Sequence, residues 1–541
     1  MLAYKQLKEE GWDALVIGSG IGGLTAAALL AKEAGKKVLV LERHYTAGGY
    51  THSFDRPGYA WDVGLHYIGE CEDPRSPVRA AFDYLSDQQL QWQPLPDVYD
   101  RTMIAGSTFD FPTGKGRLRD RLVGYFPQEE PAIDRYFKAV TSARRASGPY
   151  FAEKAIPRAV SWMVGGMMRS WFLGWADRTT LEVLREFTRN QELIGVLTAQ
   201  WADYGLPPAE SSFGAHAIIA AHYFDGASYP VGGASRIAET IAPAIERAGG
   251  QIAVSAEVVE ILVENRKAVG VRMADGRTLY APLLISDAGL RTTFHRLVRD
   301  SQPISEALRH IPASMAYLTL YVGVKQSAAE LGLSGTNLWI HPSFDHDRNV
   351  KHFLENPSAE FPVLFISFPS AKDPDFSARY PGRATIEVVT LASYDWFRRW
   401  ELTRWKRRGA EYDELKRELA ARLESELEKH VPAVRGKIDY AELSTPLTAQ
   451  HFMNYERGEA YGLAATPDRF RTRGLTPHTS IQNLFLTGQD VTSLGVTGAL
   501  FGGVVSASAI LGKNLMRVVT QPRRKRSITA GGATPVHVAS H

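Results

Sequence analysis

The chain has 541 residues, 44% hydrophobic and 22% charged, with a formal net charge of +3. That length exceeds one ordinary core and fits two large domains, and the balanced charge gives no global reason to expect a nucleic-acid partner. A single cysteine, Cys71, excludes an internal disulfide and a cysteine-rich metal centre, so no metal is expected. The segment Met1–Trp12 lacks the apolar run of a signal peptide. No stretch reaches the roughly 18 apolar residues of a spanning helix, so the expected compartment is the cytoplasm.

In chain order, Asp13–Ile17 reads as a buried parallel strand, Gly22–Ala34 as an Ala/Leu-rich helix closed by Gly35, and Lys37–Leu41 as the next strand, a βαβ unit. Helical patterns cover Pro131–Arg144 and Thr180–Ala202, and another runs over 233–249 into Gly249-Gly250. Gln251–Val254, Glu257–Val263 and Lys267–Met273 read as strands, and Asp275-Gly276 as a hairpin turn after which Thr278–Leu284 pairs back. Pro303–Arg309 reads as helix. Tyr317–Val324, Val363–Phe368 and Ala384–Thr390 read as strands, 395–430 as a solvated charged helix, Leu484–Thr487 as a last strand and 495–516 as an apolar helix. The tail, 521–541, carries Arg523-Arg524-Lys525-Arg526 and a Gly/Ala/Thr-rich end, the composition of a disordered segment.

Gly18-Ser19-Gly20-Ile21-Gly22-Gly23 fills a G-x-G-x-x-G frame between the first strand and its helix. The first glycine permits the sharp turn, the second lets backbone approach a pyrophosphate, and the third lets helix and strand pack closely. The helix N-terminus then offers free N–H groups to a diphosphate. Glu42 ends the second strand, where a carboxylate accepts hydrogen bonds from ribose hydroxyls. It argues against a 2′-phosphate, although the neighbouring Arg43 leaves NADP open. Distant segments favour FAD. Gly48-Gly49 can pass a second part of a long cofactor. Gly488 and Asp490 follow the last strand, with Asp490 placed to accept from ribityl hydroxyls. Gly498 lies at the start of the last helix, whose N-terminus can stabilise negative charge on a reduced flavin.

Together these segments resemble the phytoene desaturase-like flavoproteins, most closely their retinol saturase and carotenoid isomerase branch. Asp62-Val63-Gly64-Leu65-His66-Tyr67-Ile68-Gly69 is similar to a saturase stretch, and Tyr229-Pro230-Val231-Gly232-Gly233 matches the family's Tyr-Pro-x-Gly-Gly element. Thr445-Pro446-Leu447-Thr448, Arg457-Gly458 and Tyr461-Gly462 are similar to its late motif, and Thr487-Gly488-Gln489-Asp490 to its ending. The resemblance implies an α/β fold: a discontinuous Rossmann-like FAD-binding domain (1–70, 226–300 and 471–520) with an inserted α+β substrate domain (71–225 and 301–470). It also implies that Val258 sets its backbone against the adenine end.

A flavin gives or takes hydride, and saturating a C=C bond also requires a proton, so a general acid is expected. His66 is the first candidate, with Tyr67 and Tyr461 next, and Arg457 is a candidate anchor for a substrate carboxylate or the flavin. Ile156–Trp175 carries Trp162, Met167 and Trp171 among other aromatic and Met residues. Such a stretch packs in a core, lines an apolar tunnel or lies at a membrane surface. The function implied is an FAD-dependent oxidoreductase acting on C=C or CH–CH bonds of a long apolar substrate (carotenoid, retinoid or unsaturated acyl chain), with saturation slightly favoured over desaturation. Alternatives are redox-neutral polyene isomerisation, C–N oxidation as in amine-oxidase relatives, and a non-catalytic flavin-bearing membrane-surface protein.

Overall fold

The computed structural model describes residues 1–7, 11–299 and 310–521. The Pro303–Arg309 helix and nearly all of the 521–541 tail, including its basic run, lie outside the described residues.

Buried Val, Leu and Ile give strands Ala14–Ile17 and Val38–Leu41, each buried at every position. Solvation by water is denied on both faces, which is the condition of a central parallel strand. Between them helix Ile21–Ala34 buries eleven consecutive residues, Ile21 to Ala31, and stops at Gly35, whose left-handed backbone (φ 61°) closes the last turn. The sheet they enter has six strands in the order Leu2–Ala3, Gln251–Val254, Val38–Leu41, Ala14–Ile17, Leu284–Ser286 and Leu484–Leu486, all parallel. Strands from the start, middle and end of the chain thus share one sheet. Helix Gly495–Leu511 covers it beside Ile21–Ala34, and a Cβ on Gly503 would stand 2.5 Å from Thr25.

One expected hairpin divides in two. Thr278–Tyr280 pairs back on Lys267–Met273 across the Asp275-Gly276 turn, but Leu284–Ser286 leaves that hairpin for the parallel sheet. Pro282 separates the two and cannot donate a ladder hydrogen bond.

The second large sheet has seven strands: Ile438–Ser444, Ala316–Val324, Ala384–Ala392, Leu364–Ser367, Asn337–His341, Val98–Ile104 and Ser107–Pro112. All its pairings are antiparallel except Asn337–His341 with Val98–Ile104. A helical layer packs beside it, including Glu130–Glu153, Arg158–Ala176 and Phe213–His222. The expected helix over 180–202 is three short turns, Thr180–Arg185, Gln191–Leu197 and Trp201–Asp203. Within the expected solvated helix over 395–430, only Ala410–His430 is a long helix. It is amphipathic, with Tyr412, Leu419, Leu423 and Leu427 in the core beneath the seven-stranded sheet.

Candidate active site

The turn after Ala14–Ile17 is kept free of side chains by contact, not only by conformation. Gly18 has φ 96°, a Cβ on Gly23 would run into the Gly18 carbonyl oxygen, and one on Gly22 would lie 2.5 Å from Gly488 Cα. Gly48 bridges Gly20 directly, and its N–H donates to Ser19 Oγ over 3.1 Å. The Gly48-Gly49 backbone therefore runs alongside the turn, where a Cβ on Gly49 would meet Gly20 Cα at 3.0 Å.

Glu42 is buried and already at work. Oε2 accepts from the Ser19 N–H (2.9 Å) and Ser19 Oγ (2.6 Å), and Oε1 accepts from the His44 N–H (2.7 Å). A carboxylate has about four acceptor sites, so one remains for a ribose hydroxyl. Arg43 is already paired at the cavity edge: its Nε donates to Glu257 (2.8 Å), and its guanidinium also donates to the His451 carbonyl.

Asp287 belongs to the stretch 286–289 by which the resemblance returns the chain to the cofactor domain, but no site role was expected of it; it enters this turn from Leu284–Ser286. Its carboxylate lies between Gly20, Gly22 and Gly488 and accepts from the Gly23 N–H. Burial, with Glu42 and Asp490 nearby, pushes its pKa up to about 8. Asp490 spends both oxygens inside the protein, accepting the Leu290 N–H (2.8 Å) and the Leu463 N–H (2.9 Å). It thereby ties the last strand to the late motif, and its neighbours Gln489 and Thr492, not Asp490, line the cavity.

A cavity of about 900 Å³ begins at this turn, within the usual range for a ligand site of roughly 300–1,000 Å³. Gly18, Gly20, Gly22, Glu42, Arg43, Gly48 and Gly49 line its first part, with Val258 and Gly498. The residues present fit an extended dinucleotide: a bare turn, a helix N-terminus and a carboxylate with one acceptor site left. The far part is an aromatic chamber that includes His66, Tyr67 and Tyr461. Tyr67 stacks on Tyr223 (4.8 Å between ring centres) and on Phe365 (6.0 Å), while Tyr461 meets Tyr317 edge-on at 6.2 Å.

Two polar groups interrupt that apolar wall. His66 Nδ1 lies 2.6 Å from Glu387 Oε2, and the Glu387 side chain is fully buried on the neighbouring sheet. Tyr67 Oη lies 2.9 Å from Asp100 Oδ2 and 3.2 Å from Asp203 Oδ2. Between the two, Lys372 Nζ donates to the His66 carbonyl (2.9 Å), Asn337 Oδ1 (2.5 Å) and Ser367 Oγ (2.7 Å). All three acceptors are neutral, and burial lowers the Lys372 pKa to about 7. Glu387, Lys372, Asp100 and Asp203 carried no recognisable motif, because each gains its meaning only from strands brought together across hundreds of residues.

Four expected site residues lie elsewhere. Arg457 forms a surface ion pair with Asp395 (3.0 Å) outside the cavity, so its guanidinium is spent on a solvated partner instead of a ligand. Trp162, Met167 and Trp171 are 87%, 76% and 78% exposed on helix Arg158–Ala176. They line no tunnel and belong to no core. Among the described residues no cluster of His, Cys, Asp or Glu could hold a metal ion.

Residues 16–85 match the family described as NAD(P)-binding Rossmann-like domain. The all-trans-retinol 13,14-reductase of Danio rerio is 36% identical over 94% of this chain and 87% of its own length. The chain belongs to the all-trans-retinol 13,14-reductase family. The expected resemblance to the retinol saturase and carotenoid isomerase branch is thereby borne out. An inactive all-trans-retinol 13,14-reductase of Danio rerio is 30% identical over 93% of this chain and 86% of its own length. A chloroplastic prolycopene isomerase 1 of an Oncidium hybrid is 26% identical over 94% of this chain and 85% of its own length. Among solved structures, cyclohexylamine oxidase from Brevibacterium oxydans aligns over 94% of this chain and 99% of its own, with a TM-score of 0.59 and 18% identity. It shares the fold, an α/β Rossmann-like architecture with a second sheet and helices. No helix among the described residues of this family member is long and apolar enough to cross a membrane.

Proposed function

We propose that the protein is an FAD-dependent oxidoreductase that adds hydrogen across a C=C bond of a long apolar polyene. The observation that carries this reading is one continuous cavity joining the bare glycine turn to an aromatic chamber, in a chain related over nearly its whole length to retinol reductases. FAD, when bound, supplies hydride exchange with a carbon centre. The chain's own residues do the rest. The Gly18–Gly23 turn and the Ile21–Ala34 N-terminus hold the diphosphate, Glu42 orients the ribose, and the backbone at Val258 faces the adenine end. Gly498, near the start of Gly495–Leu511, brings a helix N-terminus to the same cavity. The stacked Tyr67, Tyr223 and Phe365 rings give a polyene an apolar surface.

Saturation needs a proton at the second carbon, since hydride addition alone would leave a carbanion. Two groups on the wall can carry it: His66, oriented by Glu387, and Tyr67, backed by Asp100 and Asp203. Tyr461, edge-on to Tyr317, lines the same chamber and positions the chain. Relatives named as prolycopene isomerases favour a second reading, redox-neutral isomerisation at the same cavity, and the relative named as inactive favours a third, a non-catalytic role.

The exposed apolar residues Trp162, Met163, Met167 and Trp171 are the proposed contact with a lipid surface, from which an apolar substrate would be drawn.

The test is anaerobic. Purified protein loaded with FAD is reduced, then mixed with all-trans-retinol and other polyenes. Flavin reoxidation with a product heavier by one H₂ supports saturation, turnover at unchanged mass supports isomerisation, and failure to bind FAD rejects the reading.

A further inference from the structure

Asp203 ends the short turn Trp201–Asp203 and lies deep in the protein, yet part of its surface opens on the aromatic chamber. It shares the Tyr67 hydroxyl with Asp100. A phenol has one proton and serves one carboxylate as donor. Asp100 is well supplied without it: Asn337 Nδ2 donates to Oδ1 (2.8 Å), and Gln200 Nε2 (2.5 Å) and Trp339 Nε1 (3.1 Å) donate to Oδ2. Asp100 is fully buried, which raises its pKa, and its three N–H donors work against that rise by favouring the carboxylate. Among the described residues Asp203 has hydroxyl partners only, Tyr67 and Tyr223, and no cation faces it directly. Lys372 stands over the far ring of Tyr67 at 5.6 Å, and its donors go to neutral oxygens. The other titratable groups around Asp203 are Tyr99, Tyr204, Tyr317 and Tyr461, none of which offers positive charge.

We infer that Asp203 is the resident acid of the chamber, a neutral carboxylic acid that gives its proton to the second carbon of the double bond while Tyr67 fixes its orientation. The inference rests on the saturation reading above. Burial, followed by repulsion from Asp100, pushes the Asp203 pKa up to about 8, so the acid form persists at neutral pH. The step balances. One carbon accepts hydride, two electrons and a hydrogen from the reduced cofactor. The π pair thus displaced forms the second C–H bond with the Asp203 proton. Asp203 is left as a carboxylate, which the Tyr67 and Tyr223 hydroxyls receive, and a solvent proton restores it once product leaves. The brief carboxylate state, from proton transfer to product release, also explains why two phenols, not two cations, surround it: they tolerate both states.

The experiment has a readout that needs no cofactor. Infrared spectra of the full chain without FAD at pH 7 are compared in H₂O and D₂O, for wild type and Asp203→Asn. Asp287 is a second buried acid raised to about 8, so the readout is the difference between the two proteins: the expected result is a deuterium-sensitive carboxylic-acid carbonyl component that wild type has and Asp203→Asn lacks, fading as pH rises past about 8. Loaded with FAD, Asp203→Asn should bind the cofactor as wild type does and lose turnover by about 100-fold or more, the usual weight of a general acid. Asp203→Glu should recover part of it. Should Asp203→Asn misfold, Asp203→Glu makes the same assignment by shifting that component while leaving the Asp287 band in place. Absence of a component assignable to residue 203 at pH 7 overturns the inference. So does Asp203→Asn turnover within about 3-fold of wild type with His66→Ala inactive, which would give the proton to His66. A band present in a wild-type protein that hydrogenates no polyene refutes the saturation reading itself, and the donor role with it.

Discussion

At the scale of single residues, the account turns on carboxylates whose work depends on what surrounds them. Glu42 spends three acceptor sites on the turn and His44. Glu42→Ala should therefore weaken FAD binding by at least about 10-fold, roughly 1.4 kcal/mol, as read by fluorescence titration. It should also loosen the turn itself, seen as faster amide exchange at Ser19. Buried histidines give a second prediction. His222 Nε2 accepts the Gly69 N–H at 2.8 Å, so that nitrogen is unprotonated in the folded state, and burial lowers the pKa to about 4. The unfolded chain takes up a proton below about pH 6.5. A group depressed in the fold contributes stability that is present above the unfolded pKa and lost as pH falls. The stability difference between wild type and His222→Gln should thus shrink by about 1.4 kcal/mol between pH 7.5 and 5.5. Urea unfolding at both pH values measures it, and a pH-independent difference would contradict the assigned tautomer. The glycine turn and Glu42 were legible in the sequence because local spacing carries them, and His66 and Tyr67 drew notice through the resemblance of residues 62–69 to a saturase stretch. Asp203 and Glu387 were not, because their partners lie 136 and 321 residues away.

At the scale of elements, helix Arg158–Ala176 is the informative case. Its composition allowed a core, a tunnel or a surface, and the structure decides for the surface at Trp162, Met167 and Trp171 while Phe172 and Ala176 are buried. The triple variant Trp162→Ser, Met167→Ser, Trp171→Ser should keep FAD binding and thermal stability within experimental error and lose most co-sedimentation with phosphatidylcholine vesicles. Unchanged co-sedimentation would reject the lipid contact. The strands Val98–Ile104, Ser107–Pro112, Asn337–His341 and Ile438–Ser444 escaped sequence reading for a physical reason. Their charged and polar residues break the apolar run by which the other strands were recognised: Arg101 and Asp110 pair across one register, and Asp100 and Asn337 across another. Cross-strand pairing, not propensity, makes them strands.

At the scale of the whole molecule, the six-stranded sheet gathers Leu2, Ala14, Val38, Gln251, Leu284 and Leu484 from across the chain. The seven-stranded sheet is threaded through the gaps, and the cavity spans both. A ligand bound there should stabilise the whole fold. FAD at 100 times its Kd should add about 2.7 kcal/mol to the unfolding free energy, read as a rise in melting temperature that Glu42→Ala diminishes. The alternation of segments was legible from the resemblance, because glycine-rich motifs recur at both ends. Which wall of the cavity faces the substrate was not, since it depends on the pairing of Asn337–His341 with Val98–Ile104.

The most direct test of the central claim is a single anaerobic mixing experiment on the reduced, FAD-loaded protein with all-trans-retinol and a set of longer polyenes, following flavin absorbance and product mass together. The account predicts reoxidation of the flavin in step with a product heavier by one H₂. A flavin that stays reduced with every polyene, or product of unchanged mass, would contradict it.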